Sequence, residues 1–504
     1  MTVKSTTLAS GFAAAARRFP DRPALAVGGQ ELTYADLLAR ARAIATSLVA
    51  TESADGPPLT AVVGARRAGT YAGILGVLLR GHGYVPINPR YPAARNRDIL
   101  ERSGCRALVV DPEFTTAARS AVEGLDNPPV IVETDDALQH SPTNLAEPGM
   151  DDPAYLLFTS GSTGRPKGVP VTHANVRAFL SAVQERYDVA ETDRLSQLFD
   201  LTFDLSVFDL FAAWERGACV CCPSESQLLE PSRYVRDSRL TIWFSVPSAA
   251  MIMRRLGALK PSAFPELRLS LFCGEALPAD LAGAWSVAAP NSVLENLYGP
   301  TEATVACTVQ RWPPLESANG LVPIGRPFGQ TVTRIVDDEL EDVPAGEPGQ
   351  LFLAGPQVVA RYLDDRDATK QAFVTLPGIG RGYLTGDRVR RAADDAPLEF
   401  LGRLDSQVKV LGHRVELGEV EAVLREEARA DAVAVGWPRT PSGAAGIVAF
   451  VADPSLDRVT LRQSLSTRLP DYMIPRELHL MSELPLNANG KHDRNALVAL
   501  LEAG

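Results

Sequence analysis

Apolar positions along the chain follow two spacings that together predict an α/β fold. Short continuous apolar runs, typical of buried strands, recur at Thr60–Val63, Ala107–Val110 and Val130–Val132. The segments Tyr34–Leu48 and Tyr71–Leu79 instead carry apolar residues at helical spacing. Strands that alternate with helices in this way favour partly parallel β-sheets layered with helices.

A change of pattern near Gly402–Asp405 predicts a domain boundary. The residues that follow contain strand patterns at Gln407–Val410 and Ile447–Val451, and helix patterns at Glu419–Arg425 and near Leu461–Arg468. They form a self-contained α+β unit of about a hundred residues. We therefore predict two parts, a large N-terminal body over 1–402 and a small C-terminal lid domain over 407–504.

Composition and charge narrow the class of protein. The 504 residues are 45% hydrophobic and 22% charged, which is ordinary for a globular chain. Fifty Lys and Arg against 61 Asp and Glu leave a net charge of -11, which argues against nucleic acid or an anionic membrane as a partner. The longest apolar helix candidate, Tyr71–Leu79, is far shorter than the roughly 20 residues of a membrane span. With no signal-peptide pattern, we expect a cytoplasmic protein.

The six cysteines form neither a disulfide framework nor a CxxC pair, which fits a reducing compartment. Three of them, Cys219, Cys221 and Cys222, lie in the apolar run Ala218–Pro223. Free cysteines are usually buried, so this run predicts a buried strand rather than a metal site.

The segment Tyr155–Gly168 joins an apolar strand to a loop of hydroxyls, glycines and one lysine. Glycines let backbone N–H groups approach phosphate oxygens, hydroxyls add donors, and the lysine adds positive charge. The loop is not a Walker A loop, because its lysine follows a proline and precedes a glycine. We predict a phosphate-binding loop that contains Thr159, Ser160, Gly161, Ser162, Thr163, Gly164 and Lys167.

Further motifs occur before and after this loop, at Leu78–Pro89, Tyr298–Glu302, Tyr383–Asp387, Gly402–Lys409, Gly412–Glu416 and Leu484–Lys491. In this order they resemble the adenylate-forming superfamily, and within it the amino-acid adenylation domains of nonribosomal peptide synthesis. The resemblance covers almost the whole chain. It implies a ligase that uses ATP and Mg²⁺ to join a carboxylate to AMP with release of pyrophosphate.

The resemblance also implies roles around the nucleotide. Tyr298 offers its ring to adenine, Thr301 offers a hydroxyl to the α-phosphate, and Glu302 offers a carboxylate oxygen to Mg²⁺. Asp387 is expected on the ribose hydroxyls, and Arg403 on the ribose or a phosphate. Thr301 and Glu302 are therefore expected to take part in catalysis.

The motifs near the carboxyl end imply a second catalytic group and a moving lid. Lys491 matches the family's catalytic lysine, whose ammonium contacts the substrate carboxylate and an α-phosphate oxygen. Asp405 lies at the position of the family's hinge, so the resemblance implies a hinge over 403–406 and a mobile lid. The resemblance implies that the lid rotates after adenylation, withdraws Lys491 and brings Gly412–Glu416 to the body for thioester formation.

The segment Phe203–Phe211 bears on the substrate. Asp204 matches the family's aspartate that binds an α-ammonium, and a buried carboxylate needs a cationic partner. The other positions that match the family's substrate pocket add no second charged side chain. The bulk of their side chains favours a small neutral amino acid such as alanine, serine, glycine or proline. These positions are Leu205, Phe208, Ser245, Leu271, Cys273, Leu297, Val305 and Ala306.

Several alternatives stay open at this point. Phe272–Pro278 also looks like D-alanine–carrier protein ligases, which leaves the chirality of the amino acid and a role in cell-wall alanylation open. Because the chain ends soon after Lys491, we expect a free-standing ligase that loads a separate phosphopantetheinylated acyl or peptidyl carrier protein. The competing hypotheses are an acyl- or aryl-CoA ligase that uses free coenzyme A, and a non-catalytic nucleotide-binding homologue.

Overall fold

The computed structural model describes residues 7–51, 56–137, 148–161, 165–314, 320–440, 443–486 and 492–503. Helices of the body cover the faces of its sheets. They are α1 (Leu8–Arg18), α2 (Tyr34–Thr51), α3 (Ala68–Arg80), α4 (Ala93–Ser103), α5 (Thr115–Val122), α6 (Thr134–Ala137), α7 (His173–Tyr187), α8 (Leu205–Val207), α9 (Glu225–Leu229), α10 (Pro231–Asp237), α11 (Pro247–Arg255), α12 (Ala279–Ala288) and α13 (Arg366–Ala372).

The strands of the body form three sheets. They are β1 (Pro23–Val27), β2 (Gln30–Thr33), β3 (Leu59–Val63), β4 (Gly83–Ile87), β5 (Ala107–Val110), β6 (Val130–Glu133), β7 (Pro153–Thr159), β8 (Lys167–Thr172), β9 (Arg194–Ser196), β10 (Cys219–Cys221), β11 (Ile242–Ser245), β12 (Leu269–Phe272), β13 (Val293–Tyr298), β14 (Thr308–Arg311), β15 (Arg326–Pro327), β16 (Val332–Val336), β17 (Pro348–Ala354), β18 (Phe373–Leu376), β19 (Gly380–Arg391) and β20 (Leu398–Arg403).

Two large mixed sheets dominate the body. One has the order β6-β5-β3-β4-β7-β8 and the other β15-β14-β13-β12-β11-β9-β10-β1-β2. In the six-stranded sheet all neighbouring strands are parallel except the edge strand β8, which is antiparallel to β7. The nine-stranded sheet has a parallel centre with antiparallel strands at both edges. The third sheet, β16-β17-β19-β18 with β20 beside β19, is antiparallel. The α/β fold predicted from the apolar spacing is confirmed.

The parallel strands bring chemistry-bearing residues to one edge. β11, β12 and β13 are neighbours in register and end at Ser245, Phe272 and Tyr298. Ligands of open parallel sheets bind outside the carboxyl ends of the strands, where the following loops carry polar side chains. The predicted burial of the cysteine-rich strand is confirmed as well, because all three residues of β10 are buried.

The carboxyl-terminal residues form a smaller α+β unit with its own apolar core. Its two sheets have the orders β22-β21-β25-β24 and β23-β26-β27. Its elements are β21 (Gln407–Val410), β22 (His413–Glu416), α14 (Leu417–Ala428), β23 (Ala432–Gly436), β24 (Arg439–Thr440), β25 (Gly443–Ala444), β26 (Ile447–Val451), α15 (Arg458–Ser466), β27 (Glu477–Leu480) and α16 (Arg494–Ala503). We call this unit the lid. In the described parts of both units, no helix is long and apolar enough to cross a membrane.

Candidate active site

The predicted phosphate loop joins two antiparallel strands of the six-stranded sheet. Thr159 ends β7 and stands opposite Lys167, which begins β8. A Cβ atom on Gly161 would lie 1.9 Å from the carbonyl oxygen of Arg165, so this position requires glycine. The described residues do not include the rest of the predicted loop, Ser162, Thr163 and Gly164.

Strand β22 of the lid lies directly against this loop. The Ser160 hydroxyl donates a hydrogen bond to the carbonyl oxygen of Arg414 over 2.8 Å. It also accepts one from the backbone N–H of Glu416 over 3.1 Å. One predicted phosphate-loop residue is therefore bonded to the Gly412–Glu416 motif.

Glu302 is the most enclosed charge of the site. It follows strand β13, and its side chain is only 1% exposed. One carboxylate oxygen accepts a hydrogen bond from the Tyr362 hydroxyl over 2.8 Å. The other accepts one from Arg414 Nη1 over 2.9 Å. Burial acts to raise the pKa of Glu302, but Arg414 and Tyr362 hold that pKa below its ordinary value, so the carboxylate is ionised.

The predicted ribose-binding residues form a connected polar group. The Tyr298 hydroxyl donates a hydrogen bond to the carboxylate of Asp387. Arg403 Nη1 donates to another oxygen of Asp387 over 2.7 Å, and Arg403 Nε donates to Asp405 over 2.8 Å. The arginine thus links Asp387 of the body to the predicted hinge residue Asp405.

A cavity of about 590 Å³ opens between the body and the lid. Tyr298, Asp387 and Arg403 line it on one side, and Lys409 and Arg414 line it on the other. Burial lowers the pKa of Lys409, and the neighbouring Arg414 lowers it further. A flat aromatic ring, a carboxylate and several cations around one cavity can together hold a ring, a hydroxylated sugar and phosphate oxygens.

Asp204 lies at the start of α8 and is 8% exposed. The Val305 N–H donates to its carboxylate over 3.3 Å. Burial raises the pKa of Asp204 to about 6, although hydrogen bonds from Thr301 and Val305 act in the opposite direction. Within the described residues this carboxylate has no ion-pair partner, so it is available to a cationic group.

The other predicted pocket residues are buried. Ser245, Leu271 and Leu297 come from the adjacent strands β11, β12 and β13, which is why they approach one another. Burial and the nearby Asp204 raise the pKa of the Cys273 thiol to about 12, so the thiol is protonated. The remaining members belong to one apolar cluster: Leu205, Phe208, Val305 and Ala306.

Two family models match the chain. The model described as AMP-binding enzyme covers residues 12–363, and the model described as AMP-binding enzyme C-terminal domain covers residues 419–491. The chain belongs to the AMP-binding enzymes. The predicted membership of the adenylate-forming superfamily is thereby confirmed, and so are the ligase class and the body-plus-lid fold of this AMP-binding enzyme.

Individual relatives place it among adenylation domains of the nonribosomal peptide synthetase type. It is 37% identical to the probable non-canonical nonribosomal peptide synthetase CymA of Salinispora arenicola over 96% of this chain and 6% of CymA. The Vibrio cholerae adenylation domain AlmE, solved with glycyl-adenosine-5'-phosphate, superposes with a TM-score of 0.89 at 29% identity and covers 100% of this chain and 99% of AlmE. Holo-PA1221, which contains adenylation and PCP (peptidyl carrier protein) domains, matches with a TM-score of 0.82 at 25% identity over 98% of this chain and 84% of PA1221.

The chain spans less than half the length of the curated relatives it matches. AlmE with its glycyl adenylate and PA1221 with its adenylation and PCP domains agree with amino-acid adenylation in a carrier-protein context. The closer similarity to D-alanine–carrier protein ligases stays a prediction.

The predicted magnesium ligand can be tested against the geometry of this AMP-binding enzyme. Magnesium sites that serve nucleotides usually take one or two carboxylates, with water and phosphate oxygens as the other ligands. A buried, ionised Glu302 suits that role only when Arg414 is elsewhere, because a guanidinium 2.9 Å from the same carboxylate repels a second cation. Among the described residues no cluster of three or more His, Cys, Asp or Glu could hold a metal by itself.

The structure adds site residues to which the sequence analysis assigned no role. Lys409, Arg414 and Tyr383 lie inside quoted motifs and Tyr362 lies outside them, and nothing in their spacing shows that they surround Glu302 or the cavity. The one feature of the sequence that could have indicated a functional role for these residues is their charged or aromatic character. Lys491, the predicted catalytic lysine, lies outside the described residues.

His413, which received no catalytic role from the sequence, packs between aromatic rings. Its ring stacks on Tyr472 at 3.8 Å between centroids and meets Phe203 edge-on at 4.6 Å. Burial, helped by Lys409, lowers its pKa to about 4, so the ring is neutral near pH 7. Its role here is to pack the lid motif against the segment that carries Asp204.

Proposed function

We propose that this chain activates a small neutral amino acid as the aminoacyl-adenylate and transfers it to the phosphopantetheine thiol of a separate carrier protein. The observation that carries the proposal is the buried carboxylate of Asp204, which has no ion-pair partner among the described residues. An α-ammonium would supply the missing positive charge, and a fatty or aryl acid would not.

The size and polarity of the pocket support a small side chain. Phe208, Leu271 and Leu297 are at most 2% exposed and belong to one apolar cluster with Leu205, the residue that follows Asp204. A second charge on the substrate would have no partner among the pocket residues. The AlmE structure contains a glycyl adenylate, and glycine is the smallest amino acid. Each methylene group changes the binding free energy of a substrate by only about 1–3 kcal/mol. Size alone therefore separates glycine, alanine, serine and proline weakly.

In the proposed first step, a carboxylate oxygen of the amino acid attacks the α-phosphorus of ATP. The bond from that phosphorus to the bridging oxygen breaks, and pyrophosphate leaves with the bonding electrons. Asp204 orients the amino acid, Asp387 holds the ribose, and the Thr301 hydroxyl contacts the α-phosphate. Lys491 would neutralise charge in the transition state. Mg²⁺ bound at Glu302 would supply further positive charge at the phosphates.

In the proposed second step, a thiol sulfur attacks the carbonyl carbon of the adenylate, AMP leaves with the carbon–oxygen electrons, and the thiol proton passes to solvent. The position of the lid supports this step, because Arg414 is hydrogen-bonded to Glu302 and the Gly412–Glu416 motif contacts the phosphate loop. We propose that residues 403–406 act as the hinge that reaches this position from one in which Lys491 faces the nucleotide.

An acyl- or aryl-CoA ligase is the second candidate, because a CoA synthetase of known structure shares the fold. It requires no ammonium partner and therefore gives no reason for a buried carboxylate in the acid pocket. A D-amino acid is compatible with the same pocket.

Loading of a carrier protein tests the whole proposal. Holo carrier protein incubated with this chain, ATP, Mg²⁺ and one amino acid is expected to gain the mass of that aminoacyl group, read by intact-protein mass spectrometry. The gain must disappear without ATP and with apo carrier, which has no thiol. Loading by a fatty or aryl acid in place of every amino acid would contradict the proposal.

The raised pKa of Asp204 predicts how binding depends on pH. The carboxylate pairs with an ammonium only when ionised, so affinity for the amino acid should fall as pH drops through about 6. The KM for the amino acid, measured by pyrophosphate exchange between pH 5 and 8, should rise about tenfold for each pH unit below that value. A pH-independent KM over this range would contradict the assignment. Asp204→Asn, which cannot ionise, should remove the dependence from whatever activity remains.

A further inference from the structure

The lid carries a second cavity, of about 580 Å³, on its surface. It lies between the outer face of α15 and the strand β27, which is an edge strand of its sheet. We call it the arginine groove. Three of the residues that line it are Arg458, Arg462 and Arg476, and all three are exposed. Val459, which is 64% exposed, adds an apolar contact between them.

The charge of this groove is not neutralised by the protein around it. Among the residues that line it one is acidic, Glu477, and that carboxylate lies 3.4 Å from Nε2 of His479. Within the described residues Arg458 and Arg476 have no ion-pair partner, and Arg462 donates only to the backbone carbonyl of Arg476, over 3.0 Å. The net charge of the whole chain is -11, so the three arginines of the groove form a basic patch on a protein that is acidic overall.

A short segment of chain runs from the cavity between body and lid to the groove. Gly443 and Ala444 line that cavity. A Cβ atom on Gly446 would lie 2.5 Å from Cδ of Arg476 in the groove. The backbone N–H of Arg476 donates to the carbonyl oxygen of Ile447 over 2.8 Å. Residues 443–447 therefore connect the proposed transfer site with the arginine groove.

We infer that the arginine groove docks the carrier protein by pairing with acidic groups on the carrier's surface, and that the phosphopantetheine arm passes over residues 443–447 into the cavity. This inference rests on the proposed function, since it names the surface used by its second partner. Exposed guanidinium groups suit carboxylates and a phosphodiester, both of which they can bind bidentately. Arg439, which is exposed and lines the cavity, extends the basic path toward the phosphate.

Charge reversal in the groove provides the test. The double variant Arg458→Glu and Arg462→Glu is expected to lower kcat/KM for loading of a holo carrier protein by at least about tenfold, mainly through KM. Loading by the wild-type chain should weaken with added salt, and loading by the variant should respond much less. Arg425→Glu is the matched control, because Arg425 is an exposed arginine of the same unit on α14, outside the groove.

Two further measurements separate docking from damage to the lid. Amino-acid-dependent pyrophosphate exchange should be the same in the double variant and the wild type. Free pantetheine, a thiol acceptor without a protein surface, should be aminoacylated at equal rates by both. Equal carrier loading by wild type and double variant would overturn the inference alone, and so would a parallel loss with pantetheine. A wild-type chain that exchanges pyrophosphate but loads no carrier overturns the inference together with the transfer step.

Discussion

We expect Asp204→Asn to lower kcat/KM for amino-acid-dependent pyrophosphate exchange by at least about 100-fold. The substitution keeps the shape of the side chain but removes the charge that would pair with the α-ammonium. Breaking one side of a buried ion pair costs about 3–5 kcal/mol, because the remaining charge stays unpaired in a dry pocket. The measurement is the initial rate of exchange as a function of amino-acid concentration.

A second buried aspartate offers a matched control. Asp209 lies five residues further along the same segment and is fully buried, and burial raises its pKa well above the ordinary value, which disfavours its charged form. Asp209→Asn should therefore keep exchange within about threefold of wild type. Equal losses in both variants would show that Asp204 acts through stability rather than through substrate charge, and a normal rate for Asp204→Asn would remove its role.

The second large effect is expected at Arg414. In the lid position seen here, Arg414→Ala leaves the buried carboxylate of Glu302 without its cation, at a cost of about 3–5 kcal/mol. This free-energy cost destabilises the lid position that we assign to transfer. Loading of a carrier protein should therefore fall by about 100-fold more than pyrophosphate exchange does, measured on the same preparation.

The conservative variant makes this prediction specific. Arg414→Lys retains a positive charge but cannot offer the planar pair of donors that now serve Glu302 and Tyr383. It should recover part of the loading activity that Arg414→Ala loses. If exchange and loading fall by the same factor in both variants, Arg414 serves the nucleotide site in general, and the assignment of this lid position to transfer is wrong.

Much of the fold follows from local patterns. The apolar runs at Ala107–Val110 and Ile447–Val451 are strands with the predicted bounds. The helix predicted over Tyr34–Leu48 continues to Thr51, and its additional residues Val49 and Ala50 are exposed and lie outside the buried stripe that gave the signal. The helix predicted over Glu419–Arg425 likewise spans Leu417–Ala428, since helix ends depend on capping more than on periodicity.

Long-range pairings were not visible in the sequence. Glu302 and Arg414 are separated by 112 residues, and Ser160 and Arg414 by 254. Neither spacing nor composition relates residues that come from different sheets, and the rotation of the lid decides which residues meet. The motifs indicated which segments matter, but the geometry was needed to show that one lid arginine contacts both the phosphate loop and the predicted magnesium ligand.

Pyrophosphate exchange across a substrate panel tests the central claim most directly. The panel contains both enantiomers of the standard amino acids, together with short fatty acids and aryl acids. We expect exchange with one or a few small neutral amino acids and none with acids that lack an amino group. Exchange that depends only on fatty or aryl acids would contradict the role of Asp204 and place the chain with the acyl-CoA ligases.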